Sequence, residues 1–532
     1  MYIKQTITLL ALIFVIVCSC STNNNSGGAA QEVLVNENQT YQTMEGFGAS
    51  DCWTIQFVGA NWPEAKREGI ADLLFSKEID QNGNPKGIGL SQWRFNIGGG
   101  TAEQGDQSGI PNVWRRAECF LNSDGTYDWN RQLGQQWFLH AAQKRGVESL
   151  LAFNNTPPVQ YTKNGKGWSP GGDRYNLQAD KYDDYAHFLV EVCKYFESIG
   201  VNFDYVSPFN EPQWDWKAPA TQEGTPARNK EIAQLVNELS PLLAQQFPAI
   251  KIAVPEAAQL QFLYEKRGYE NRDNQLKELF DSSSDSYIMN LPNVKNAVMG
   301  HSYFTTSKLD TLIEVRRKLK NYLNTYHKDL AYWQSEFCIL EKHKDIGGGN
   351  KRDLGMATAL YVARVIHADL ALADASLWSW WTAVSPMDYK DGLVYIDLGA
   401  EQKGETKYEN LREDGYFRDS KTLWVLGNYS RFVQPGMIRI LTNLSNKLSL
   451  KEQMNQLMIS GYKSADDRKY TFVVVNYGNE NNTLSFNYFL KDKKNVTITS
   501  YVTSKDKNLE KTNVNGANVN VPARSVVSIV ME

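Results

Sequence analysis

Histidine is scarce in this chain: six residues among 532, with no HExxH run and no His/Cys cluster, which leaves little material for a metal site. The nearest approach, His343 close to Glu341 and Asp345, reads as a solvated loop. Cysteine is equally scarce, and no pair has CxxC spacing, so zinc-ribbon and dithiol redox chemistry lack support. An excess of charge of one sign is also missing. Lys and Arg total 56 against 60 Asp and Glu, and the net charge of -4 gives no electrostatic reason to expect nucleic acid as a partner. No GxGxxG or Walker pattern follows a strand-like run, which argues against a doubly wound nucleotide-binding sheet. No internal repeat is visible, and nothing here calls for a metal or an organic cofactor.

Apolar runs long enough to span a bilayer are absent. The one notable run, Ile7 to Val17 after Lys4, suits the apolar region of an export signal and falls short of the roughly 20 residues of a membrane helix. It ends in Val17-Cys18-Ser19-Cys20, a small residue before a cysteine in a pattern that resembles a bacterial lipobox. Cleavage after a signal at 1–20 and lipidation of Cys20 are therefore expected, with an ordinary secretory signal as the alternative. Both readings export the protein, to the periplasm or the cell surface. Residues 21–34, which include NNNSGGAA at Asn23–Ala30, read as a flexible tether, and a lipid anchor would be the one membrane contact. Cys52, Cys119, Cys193 and Cys338 are scattered and read as buried small hydrophobes rather than bridges. A monomer is expected.

What the chain has in abundance is ring. Aromatic residues make up 12%, including 14 Trp and 27 Tyr, more indole and phenol than core packing usually needs, and flat rings often bind flat ligands. With 42% hydrophobic and 22% charged residues the chain can fill and cover a large interior. Between residues 46 and 420, eight short strand-like runs alternate with amphipathic stretches. The runs are Gly46–Asp51, Leu90–Ile97, Ser149–Asn154, Phe203–Phe209, Ile250–Val254, Ala297–Tyr303, Leu330–Phe337 and Ala375–Trp381. Tyr185, Phe188, Leu189, Val192, Phe196 and Ile199 mark one helix face by their spacing of three and four. Eight such units predict an α/β fold, a (β/α)8 TIM barrel. From 421 to 532 the texture turns to β-branched alternation, as in YTFVVVNY at 470–477 and SVVSIVM at 525–531, which predicts an appended antiparallel β-sandwich.

Three motifs compete for the chemistry. Gly167-Trp168-Ser169-Pro170-Gly171 fits the nucleophile elbow of serine hydrolases, but Pro170 has no N–H to give an oxyanion hole. Ser207-Pro208-Phe209-Asn210-Glu211-Pro212 closes the fourth strand on a carboxylate, and Tyr332–Phe337 brings Glu336 to the end of the seventh. Strand ends at the C-terminal face are where such barrels display chemistry. Two carboxyls there, one protonated and one ionised, can cut a glycosidic bond by protonating its leaving oxygen and attacking its anomeric carbon. Glu341 is a fallback for the second carboxylate.

Asn210-Glu211 on strand four with Glu336 on strand seven resembles the clan of retaining (β/α)8 glycoside hydrolases. Further motifs narrow the resemblance to glycoside hydrolase family 30: Gly46-Phe47-Gly48, Arg94 in WRFNIGGG, LLAFNNTPP at 150–158 followed by Lys163-Asn164-Gly165, His301-Ser302-Tyr303, and Trp378–Trp381. The likeness covers roughly residues 35 to 532 and implies that residues 35–45 complete the sandwich. It implies Glu211 as general acid/base, Glu336 as nucleophile and Asn210 as a partner of the sugar 2-OH. Arg94 and Tyr303 would orient Glu336, Trp381 would floor the cleaved-sugar subsite, and Trp214 and Trp216 would line neighbouring subsites. Core packing is the alternative for these two tryptophans. Asn155 stands where glucosylceramidase-like members carry a tryptophan, leaving room for an axial 4-OH such as that of galactose. With Thr221-Gln222-Glu223-Gly224, this looks most like the endo-β-1,6-galactanases. β-1,6-Glucanase, glucosylceramidase-like β-glycosidase and xylanase stay open, as does a surface lipoprotein that captures polysaccharide without cutting it. Whether cleavage is endo or exo is left open by the sequence.

Overall fold

The computed structural model describes residues 30–399 and 410–532. The signal at 1–20, the expected lipidation site Cys20 and most of the tether lie outside these residues. Among the described residues no helix is long and apolar enough to cross a membrane.

Eight parallel strands form the larger sheet: β2 (Gly46–Ser50), β3 (Gln92–Asn96), β4 (Ser149–Phe153), β5 (Tyr205–Ser207), β6 (Lys251–Ile252), β7 (Ala297–Gly300), β8 (Ala331–Phe337) and β9 (Ala375–Ser385). They coincide with the eight runs read from the sequence. β2 pairs with β3 and β9, the ladder runs from β3 to β6, and β7 and β8 join through β9. β6 is only two residues long, and two isolated parallel bridges, Ile252 to Val294 and Ala257 to Gly300, link it toward β7. The strands are covered on both faces, so β2, β3 and β9 are buried throughout rather than alternating. The helix Tyr182–Ser198 buries Tyr185, Phe188, Leu189, Val192 and Phe196 as its periodicity predicts, while Ile199 caps it and stays exposed. The sheet continues past β9 with β10 (Gly392–Asp397) and β11 (Tyr416–Asp419).

The second sheet has nine strands. β1 (Gln31–Thr43) lies inside it, between β12 (Ile438–Leu444) and β15 (Asn482–Ser485). Its pairing with β12 is antiparallel, but Gln31 and Glu32 pair in parallel with Leu484 and Ser485. The sheet is therefore mixed at this seam, and β1 starts within the stretch expected to be tether. The remaining strands are β13 (Leu457–Lys463), β14 (Tyr470–Asn476), β16 (Ile498–Thr503), β17 (Glu510–Asn513), β18 (Asn518–Val521) and β19 (Ser525–Met531). Their inner faces bury Phe472, Val474, Leu484, Phe486, Val519, Val527 and Ile529.

At the boundary expected at 420 the helix Lys421–Ser430, capped by Ser420, packs on the barrel helix Met356–Leu372 on one side and on β16 and β19 on the other. Met356–Leu372 is apolar nearly all round because β13, β14 and β19 cover its outer side.

Candidate active site

β5 ends at Ser207, and three residues on the chain places Asn210 and Glu211 at the mouth of the barrel. Glu211 has φ +47°, a left-handed conformation that costs a non-glycine residue roughly 1 kcal/mol or more and turns the chain sharply. Its N–H donates to the carbonyl of Glu256 at 2.9 Å. Glu256 follows β6 and also has a positive φ, +58°. The two strand ends thus make the same reversal and are tied together.

Glu336, on β8, is gripped by both oxygens. Arg94 Nη1 donates to Oε2 at 3.2 Å, and the Tyr303 hydroxyl donates to Oε1 at 3.0 Å. Arg94 comes from β3, its side chain is 1% exposed, and its guanidinium lies 4.5 Å from the centre of the Phe153 ring. His301, after β7, stands between the acids. Its Nδ1 is 2.9 Å from Glu211 Oε1 and 3.7 Å from Glu336 Oε1, while its Nε2 is 3.0 Å from Glu256 Oε2. Ser335 also donates to Glu256.

Electrostatics follow from this packing. Burial alone would drive the proton off His301, but the Glu336 charge and the bonds to Glu211 and Glu256 push its pKa up to about 10. Both ring nitrogens then carry hydrogen and donate. Burial opposes ionisation of Glu256, yet His301, Arg94 and Ser335 hold its carboxyl below the usual range. Glu336 lies the other way: burial raises it, and His301 and Arg94 pull back. Three carboxyls thus face two cations, and one proton on a carboxyl makes the cluster neutral.

One oxygen each of Glu211 and Glu336 and a nitrogen of His301 lie within 4.8 Å of one another. This is the one group among the described residues spaced to hold a metal ion, and both nitrogens of its histidine already face carboxylates.

An open cleft of about 700 Å³ runs over these residues and is walled by Asn210, Glu211, Trp216, Tyr303, Glu336 and Trp381 among others. Trp381 meets Trp53 edge-on at 5.5 Å. Trp216 donates its indole N–H to the Glu211 carbonyl at 3.0 Å and lies against Gly224, where a Cβ would come within 2.4 Å of the ring. Glycine at 224 is what lets that ring settle beside the acid. Trp214 is not brought to the cleft wall: its ring packs edge-on against Phe262, Tyr269 and Phe304. Asn155 is buried and neither amide atom has a partner, as is also true of Asn210 Oδ1. Glu341 is held by Thr306 away from this cluster, and Ser169 is buried with its N–H on the Trp216 carbonyl. The four cysteines are free and buried.

Sequence reasoning passed over Glu256 and gave no role to His301. The available signal for the first was its position just beyond a short strand, Val254-Pro255-Glu256, a counterpart of Asn210-Glu211-Pro212. Glu223 was read only as part of a motif. It is fully buried, accepts from the N–H of Gly99 and of Thr101 at 3.0 and 3.3 Å, and ties the loop after β5 to the loop after β3. Burial raises its pKa to about 7.

Among solved structures, a conserved exported protein from Bacteroides fragilis is 36% identical, with a TM-score of 0.88 over 94% of this chain and 100% of that one. The glucuronoxylanase XynC of Bacillus subtilis is 23% identical over 368 residues, 67% of each chain. An exo-beta-1,6-galactobiohydrolase of Bifidobacterium longum is 23% identical over 238 residues, 35% of this chain and 16% of that protein. The sequence model of O-glycosyl hydrolase family 30 matches residues 30–395, the span that contains every barrel strand and both mouth glutamates. By that match this chain belongs to glycoside hydrolase family 30 and is a retaining glycosidase.

Proposed function

We propose that the enzyme is an exported endo-β-1,6-galactanase that cuts by double displacement at Glu211 and Glu336. The observation that carries the assignment of the two carboxylates is their spacing. One oxygen of each lies within 4.8 Å of the other, which is closer to the about 5 to 5.5 Å of retaining carboxyls than to the roughly 6.5 to 9.5 Å of an inverting pair.

In the first step Glu336 attacks the anomeric carbon while Glu211 gives its proton to the departing oxygen. Arg94 and Tyr303 fix the attacking carboxylate from two directions. Once Glu336 has become an ester and Glu211 has given up its proton, Glu211 takes a proton from the incoming water that opens the ester. His301 is a positioning residue in this account, and Glu256 holds its second nitrogen. Asn210 meets the 2-OH, and Trp381 packs against the sugar's C–H face.

Support for galactose comes from Asn155, a small amide with unpartnered donor and acceptor atoms at a place where related enzymes carry a large ring. The likeness to a relative named exo-beta-1,6-galactobiohydrolase supports the sugar, though not the endo cut. The test is a linkage panel with a reducing-end assay. Galactose oligomers from β-1,6-galactan, with none from β-1,6-glucan or glucuronoxylan, are expected; the reverse pattern overturns the substrate assignment. Lipidation at Cys20 belongs to the same proposal, and replacing Cys20 by Ser should move the protein from the membrane to the soluble fraction.

A further inference from the structure

Beyond the polar groups around the two glutamates, the cleft holds a second polar cluster the mechanism does not use. Asp391, on the loop after β9, is 3% exposed and lines the cleft; Ser385 stands beside its carboxyl, but no donor closes a hydrogen bond on Oδ1. Its Oδ2 lies 4.0 Å from Arg115 Nη2, too long for a closed ion pair. Arg115 arrives on the loop after β3, lines the same cleft, donates to Gln222 at 3.3 Å and stacks 5.5 Å over Trp53. Trp53 in turn abuts Trp381. The pair therefore flanks the expected sugar floor, on loops of the two strands that neighbour β2, while Glu211 ends β5.

This arrangement is fixed in advance. Lys390 is buried, and its ammonium donates to the carbonyls of Gly348 and Asn350 at 2.8 and 3.0 Å. Trp380 donates its indole N–H to the Asp391 carbonyl. A buried acceptor without a donor is costly unless a ligand supplies one. A sugar with two adjacent hydroxyls does so: one hydroxyl donates to Asp391, and its neighbour accepts from Arg115. Asp391 stands beside Arg115 and burial raises its pKa, so a carboxylate-bearing sugar would set a second acid against it in a site with one arginine.

We propose that Arg115 and Asp391 form a specificity subsite for an uncharged sugar unit of the polymer, next to the unit held over Trp381. The inference rests on the glycosidase reading above and is independent of which neutral sugar proves correct.

The experiment compares D391N and R115M with the wild type on two substrates built from the polymer that the wild type cleaves best in the panel: its tetrasaccharide and the 4-nitrophenyl glycoside of its single sugar. The expected result is a loss of kcat/KM on the tetrasaccharide at least tenfold greater than the loss on the monoglycoside, carried mainly by KM. Equal losses on both would overturn it, since a fault at the reacting centre or in folding moves both together. Wild-type preference for glucuronoxylan would overturn the uncharged character. A neutral polymer other than β-1,6-galactan would end the galactanase assignment and leave this one standing. D391N nearly preserves shape, and R115M gives an independent variant should it fail to fold.

Discussion

The mouth of the barrel and the interior of the second sheet bury opposite kinds of side chain. At the mouth, Arg94, Glu256, His301 and Glu336 are all nearly sealed from solvent. In residues 438–532 the one buried charged side chain is Arg439, which pairs with Asp374, and the interior is Phe472, Val474, Leu484, Phe486, Val527 and Ile529. Burying charge is expensive and contributes little net stability even when paired. Burying branched hydrocarbon is the main source of folding free energy. The first region therefore spends stability on chemistry, and the second supplies it.

That contrast can be broken by experiment. E336Q, which removes the proposed nucleophile, should cut turnover by at least about a thousandfold while leaving oligosaccharide binding and the melting temperature close to wild type. F472A should do the reverse, costing about 3 to 5 kcal/mol of stability in denaturant titrations with kcat at 25 °C kept. If activity falls in step with stability well below the transition, the two regions are not separable. H301Q should sit between them, with kcat/KM down about tenfold to a hundredfold. The sign of its pH effect is definite. A histidine whose folded pKa is about 10 contributes stability in full below about 6.5, the unfolded value, and loses it as pH rises through about 10. Melting curves from pH 6 to 10.5 should therefore fall more steeply for the wild type than for H301Q. The smallest effect belongs to K295M. The Lys295–Glu45 pair is mostly buried at the other end of the barrel, with the lysine over the rings of Tyr205 and Trp333, and its loss should cost about 1 to 2 kcal/mol with no change in kinetics.

Much of the fold was legible because its signals are local. Each barrel strand is a short apolar run between helical stretches, and Glu211 and Glu336 announce themselves by ending two of them. The pairing of β1 with β12 and β15 was less so, because Gln31–Thr43 is rich in polar residues and its partners come hundreds of positions later. Glu256 escaped because β6 offers only two residues of strand before it. Trp214 and Trp216 differ in sequence by almost nothing. What separates them is backbone: Trp216 takes φ +47° and swings to the cleft, while Trp214 turns inward onto Phe262 and Tyr269. Arg115 sits on the long loop after β3 and Asp391 on the short connection before β10, and nothing in their spacing says that they will meet.

The seam at β1 sets an order of events for a chain made from its N-terminus. Val33 can find Leu444, and Gln31 can find Leu484, only after the whole barrel sequence has been synthesised. Until then β1 trails as a strand without partners. Loop closure over such a separation makes late, slow docking the expected last step, with the open edges of the second sheet exposed to aggregation meanwhile. A nascent chain stopped before residue 438 would thus hold all eight barrel strands and still lack the partners of its own first one.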